Sequence, residues 1–163
     1  MKPTMPEDNR ILYFSRDRQE FRFLSHFYPA AVELDGVVWP SAEHAYQSHK
    51  SPNRDYVQAI REAVSPGMAK RLASNRPKHS WFTKHDAALR PDWNEVKLDI
   101  MRRVDLAKFS QNEDLRELLL ATGDAELLED SHDEPFWGIG KDGNGPNWAG
   151  TVLMEVRAKL RET

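Results

Sequence analysis

Glu43, Gln47 and Lys50 are the first residues whose types and spacing suggest chemistry; they lie in the run Trp39-Pro40-Ser41-Ala42-Glu43-His44-Ala45-Tyr46-Gln47-Ser48-His49-Lys50. At about 100° per residue an α-helix brings all three onto one face and offers an acid, an amide and an amine to a single pocket. Glu43 also stands in the first turn, where the helix dipole favours a carboxylate. On spacing alone, a solvent-facing glutamate with a mild helix pairing is the plainer reading. His44 and His49 lack the i, i+4 relation of a zinc helix and no HExxH pattern is present, so no metal site is expected.

Three further segments carry chemistry-bearing residues. Glu129-Asp130-Ser131-His132-Asp133-Glu134 sets four carboxylates just before Phe136-Trp137 and a glycine loop. Carboxylates this close repel one another, and burying one would raise its pKa; an acidic surface turn is the competing reading. The loop Gly138 to Gly145 leads to a helix start near Asn147 to Gly150, whose free N–H groups suit a phosphate. It has neither a Walker ending nor a dinucleotide fingerprint. The run Phe23-Leu24-Ser25-His26-Phe27-Tyr28-Pro29 is of a kind found more often in cores than around cofactors.

The elements that must position these residues follow from local signals. Residues 1–10 read as a loose arm. Ile11 to Phe14 and Phe21 to Leu24 read as strands. Ala31 to Leu34 and Val37 to Trp39 form a hairpin about Asp35-Gly36, a pair that accepts positive φ. Ser41 caps a helix from Ala42 to Lys50, stopped by Ser51-Pro52. Further helices are expected from Arg54 to Ala63, from Pro66 to Ser74 after the Ser65 cap, and from Asp92 to Phe109. Another follows the Asn112 cap and closes at Gly123, and a last one spans Trp148 to Arg161. Residues 75–90 read as a connection, and Ala125 to Glu129 as one short helical or extended piece. The expected fold class is α+β: one mostly helical domain over 1–163 with a small β-sheet near the N-terminus.

Composition narrows the function classes. The chain has 163 residues, 39% hydrophobic and 30% charged, which is the make-up of one globular domain. Cysteine is absent, which removes disulfides, thiolate metal sites and cysteine nucleophiles and suits a reducing compartment. A net charge of −3 argues against coating nucleic acid through bulk charge. No apolar run is long enough for a bilayer, and no secretory leader is seen, so a cytoplasmic protein is expected. The five tryptophans suit cores and nucleotide pockets alike.

Taken in order, these segments resemble the NADAR (YbiA-like) superfamily. The resemblance rests on Phe23-x-Ser25-x-Phe27, Trp39-Pro40-Ser41-x-Glu43-His44, Asp92-Trp93 with Lys97 and Met101, Lys108-Phe109, Thr122-Gly123 and Glu129. It continues through Asp133, Phe136-Trp137-Gly138, Gly140, Asn147, Gly150, Leu153-Met154 and Arg157, and so covers about Ile11 to Leu160. It implies a YbiA-like fold and cleavage of N-glycosidic bonds without a cofactor. One branch of the family hydrolyses ribosylamino-pyrimidine intermediates of riboflavin synthesis. Another removes ADP-ribose from the amino group of guanine, including in systems paired with a DNA-modifying toxin, which makes ADP-ribosylated nucleic acid a candidate partner.

Carried over, the resemblance assigns catalysis to Glu43 and Asp133 and substrate stacking to Trp93 and Trp137. Lys50 joins the catalytic set, either through an imine with the ring-opened sugar or by binding phosphate. Ser25, His26, Phe27, His44, Gln47, Gly138 and Asn147 complete the expected substrate-binding set. His26 departs from the family pattern, which often has asparagine there. The alternative function is a non-catalytic NAD or ADP-ribose-binding module, which would need only the aromatic clamp, the glycine loop and phosphate contacts.

Overall fold

The computed structural model of the chain describes residues 2–14 and 19–163, in two compact units. One unit joins residues 1–28 to 109–163, and the other is residues 29–108.

The first unit is organised by β1 (Arg10–Tyr13), which pairs in parallel with β4 (Glu126–Glu129) in the register Arg10↔Glu126 to Tyr13↔Glu129. The expected N-terminal sheet is therefore built differently: β1 finds its partner far along the chain. The segment before β1 ends at Asn9, whose carbonyl accepts the Glu126 N–H at 3.0 Å. Residues Gln19–Leu24 form a 3₁₀ helix where a strand was expected over Phe21 to Leu24. The Phe21/Phe23 alternation resembles a strand, but a 3₁₀ turn stacks i on i+3, and Phe21 and Leu24 are both buried. Helix α6 (Glu113–Ala121) ends before Gly123, which takes φ of 60°, and packs on α7 (Trp148–Arg161), which also covers β4.

The second unit opens with the expected hairpin, β2 (Val32–Leu34) against β3 (Val37–Trp39), with Leu34 opposite Val37. Asp35 and Gly36 take φ of 51° and 79°, the double positive φ of a type I′ turn. Helix α1 (Ala42–Ser48) follows, capped by the Ser41 side chain on the His44 N–H; it stops short of Lys50. Helices α2 (Arg54–Glu62) and α3 (Pro66–Leu72) are capped by Asn53 and Ser65 and pack against α1 and each other. The expected connection over 75–90 holds a short helix, α4 (Trp81–Lys84), with Ser80 accepting the Thr83 N–H. The long α5 (Trp93–Gln111) begins in this unit. Lys108 on it is wholly buried, and burial pushes its ammonium down to about 8 against the opposing pull of Asp105.

Candidate functional site

In the second unit α1 is buried along its whole length. Glu43, 6% exposed, accepts the Gln47 side-chain amide on Oε1 at 2.7 Å. This is the i, i+4 relation read from the sequence, made inside the protein. The amide orientation is set by the carboxylate, because only the NH₂ end can donate to it. Gln47 Oε1 is consequently a sealed acceptor with no hydrogen bond among the described residues. The Glu43 carboxylate thus has one oxygen held by Gln47 and the other, Oε2, without a hydrogen bond among the described residues.

His44 is fixed from both sides. Its Nε2 lies 2.9 Å from the Ala63 carbonyl, and its Nδ1 lies 2.7 Å from Ser41 Oγ. A carbonyl only accepts, so in the neutral ring Nε2 donates and Nδ1 accepts the serine hydroxyl. Ser41 Oγ in turn accepts the His44 N–H at 3.2 Å. Both ring nitrogens are engaged by the scaffold, which leaves this member of the expected substrate-binding set a positional role.

Lys50 lies just beyond α1 and is half-buried. Its Nζ donates to the Ala73 carbonyl at 3.3 Å and sits 5.5 Å from the centroid of the Trp93 ring. Its backbone is held at both ends, the N–H by the Gln47 carbonyl at 3.2 Å and the carbonyl by the Arg90 N–H at 3.0 Å. Trp93, expected as a stacking wall, is buried at the start of α5 with Tyr46 at 5.2 Å on its other contact. Asp92 stands before α5 as expected, but its carboxylate is forked onto Arg90 at 2.6 and 2.9 Å, and that bond holds it below the usual carboxylate range. A groove of about 450 Å³ in this unit is lined by Leu34, Trp39, His49 and Arg90 among others. Neither Glu43, Gln47, Lys50 nor Trp93 lines it.

The first unit holds the rest of the expected site. Ser25 and His26 are buried, and Ser25 Oγ accepts the Phe27 N–H at 3.1 Å. Phe27 is half-buried, edge-on to Phe14 at 5.7 Å. Asp133 is exposed, and Trp137 is half-buried with its ring 4.7 Å from that of Phe136.

The glycine segment is a different case from the one its composition suggests. The Trp148 and Ala149 N–H groups at the start of α7 donate to the Phe136 and Trp137 carbonyls at 3.3 and 3.0 Å. The helix terminus expected to hold phosphate has spent these donors on its own loop. Asn147, in the left-handed region at φ 53°, accepts the Glu129 N–H on Oδ1 and donates from Nδ2 to the Leu127 carbonyl, both at 2.9 Å. Alternate residues Glu126 and Asp130 give their N–H groups to the β1 side, so Leu127 and Glu129 face the other edge of β4. The Asn147 amide closes that edge as a neighbouring strand would. A Cβ on Gly150 would stand 2.0 Å from the Leu127 carbonyl oxygen, and one on Gly138 would stand 2.7 Å from that of Ser131. These glycines let loop and helix close on β4.

Sequence reasoning missed Tyr56, whose hydroxyl donates to the Gln47 carbonyl at 2.6 Å, and Arg90. Arg90-x-Asp92 offered a weak signal; Tyr56 offered none beyond its place on an amphipathic helix. Among the described residues no group of three or more His, Asp or Glu is placed to hold a metal ion, and no helix is long and apolar enough to cross a membrane.

Comparison with known proteins matches residues 13–161 to the NADAR domain model. The chain is 38% identical over 151 residues to a riboflavin biosynthesis protein of Vibrio vulnificus, covering 93% of this chain and 39% of that protein's length. It is 36% identical over 150 residues to the N-glycosidase YbiA of Escherichia coli, covering 92% of this chain and 88% of YbiA. The NMR structure of Escherichia coli YbiA superposes with a TM-score of 0.81 at 34% identity, over 99% of this chain and 89% of that one. The architecture is that mostly helical fold with small sheets.

Proposed function

As the chain belongs to the NADAR domain family, we propose that it is an N-glycosidase that hydrolyses the bond between ribose C1 and an exocyclic amine nitrogen. The relatives support this reading, since an N-glycosidase and a riboflavin biosynthesis protein are among them. They favour a ribosylamino-pyrimidine substrate, with ADP-ribosyl-guanine as the second substrate to be tested. A cytoplasmic setting goes with it, in keeping with the cysteine-free composition.

The observation that carries the chemistry is the half-held carboxylate of Glu43, with Oε1 fixed by Gln47 and Oε2 without a hydrogen bond among the described residues. Hydrolysis needs a water oxygen to bond to C1 as the C1–N bond breaks, one proton to leave that water and one to reach the departing amine. Glu43 Oε2 takes the water's proton as general base and passes it to the departing amine, so the proton count closes on one group. Asp133, exposed on its loop in the first unit, is proposed as a substrate contact. Trp137 offers its half-buried face to the base. Lys50 acts as a cation toward the anionic part of the substrate, because a carbonyl and an indole face both suit an ammonium. No step calls for a metal, so activity should persist in chelator.

Incubation with a ribosylamino-pyrimidine nucleotide, and separately with ADP-ribosylated guanosine, should release free base from at least one. Tight binding without release from either assigns the chain to the non-catalytic binding class. Lys50→Arg keeps the charge and cannot form an imine. Retained activity supports the cationic role, whereas a borohydride-trapped adduct on Lys50 assigns a covalent one.

A further inference from the structure

The last four carbonyls of an α-helix have no partner within the helix. Helix α1 ends at Ser48, so the Gln47 carbonyl is one of these, and Gln47 is only 4% exposed. A buried carbonyl needs a donor from elsewhere. The Lys50 N–H reaches it at 3.2 Å, the His49 N–H is shared between it and the Tyr46 carbonyl, and the Tyr56 hydroxyl makes the shortest bond to it, at 2.6 Å. Tyr56 lies in the first turn of α2 and is wholly buried, its ring 5.3 Å from that of Trp81 and 4.8 Å from that of Phe82. Those aromatic contacts would hold a phenylalanine as well. The hydroxyl is what the site specifically requires, and burial pushes the phenol far up, so it stays a donor.

One carbonyl therefore joins three parts of the candidate site. Its own side chain holds Glu43, and it receives the amide of Lys50 together with a fixed donor from a neighbouring helix. We infer that Tyr56 is a positioning residue for Lys50, fixing the turn from Gln47 to Lys50 through the Gln47 carbonyl. With the hydroxyl in place, the turn sets the lysine ammonium between the Ala73 carbonyl and the Trp93 ring. Without it, the Gln47 carbonyl keeps only backbone donors, the Arg90 N–H still holds the Lys50 carbonyl, and the ammonium loses its exact place, while the Glu43–Gln47 pair, made by side chains within α1, persists. The inference rests on the N-glycosidase reading for its kinetic consequence and on geometry alone for its structural one.

Tyr56→Phe removes only the hydroxyl. One lost hydrogen bond of this kind should lower kcat about tenfold with KM little changed. In a Lys50→Met background the same substitution should cost nothing further, because its route to the chemistry is already cut. Full additivity of the two losses overturns the inference, as does an unchanged kcat beside a lowered Tm. 4-Aminophenylalanine at position 56 keeps ring and donor and should restore most of the lost rate; failure to do so also overturns it, and this arm stands even if Tyr56→Phe does not fold. Hydrogen exchange of the Lys50 amide separates this inference from the proposed function. If the wild type cleaves neither substrate, the proposed function fails, while faster Lys50 exchange in Tyr56→Phe still supports the positioning role and unchanged exchange overturns it.

Discussion

The Glu43–Lys50 segment and the Gly138–Gly150 segment both read as candidate sites, but the structure uses their polar groups in opposite ways. In the first, side chains hold one another and leave capacity over: Glu43 keeps an oxygen without a hydrogen bond among the described residues, and Lys50 is placed by its backbone at both ends. In the second, capacity is spent on the fold: both ends of the Asn147 amide close the edge of β4, and the first N–H groups of α7 answer to the loop before it. A polar motif can serve a ligand only with the hydrogen bonds its own scaffold leaves unclaimed.

The sharpest break of this contrast is Gly150→Ala. In an ordinary helix the change stabilises by about 1 kcal/mol. Here the new Cβ meets the Leu127 carbonyl at 2.0 Å, so the sign should reverse, with a loss above about 4 kcal/mol and little folded protein by circular dichroism. A well-folded Gly150→Ala protein would show that helix and strand are not so closely joined.

Glu43→Gln comes next. It preserves shape and removes the base, so turnover should fall by about 10²–10⁴-fold with substrate affinity nearly unchanged. Near-normal turnover would move the chemistry away from α1.

Asn147→Ala leaves the Leu127 carbonyl and the Glu129 N–H without their partner. The expected cost is roughly 2–4 kcal/mol, seen as a lower Tm, with KM unaffected in the folded fraction. A raised KM at unchanged Tm would return Asn147 to the substrate-binding set.

The smallest effect belongs to Trp137→Ala, because stacking a base is worth about 1–3 kcal/mol. Ligand binding should weaken roughly ten- to a hundred-fold by calorimetry while Tm stays close to wild type. No change in binding would remove Trp137 as the proposed stacking face.

Much of this protein is determined by sequence alone, wherever the deciding interactions are local. The Asp35-Gly36 turn, the Ser41 and Ser65 caps, the stop at Gly123 and the limits of α7 each depend on neighbours within a few residues, and each is found where the sequence puts it. The Glu43–Gln47 bond is legible for the same reason, since one helical turn makes it. Contacts between distant segments are another matter. No local signal pairs Arg10 with Glu126, turns the run before Ser25 into a 3₁₀ helix, or sends the Tyr56 hydroxyl to the Gln47 carbonyl. Those outcomes depend on which buried groups lack a partner once the chain has packed. The same holds for Asn147 and Gly150, whose types announce a ligand loop in the sequence. Only the tertiary structure brings the β4 edge against them, and that edge takes the hydrogen bonds a ligand would have used.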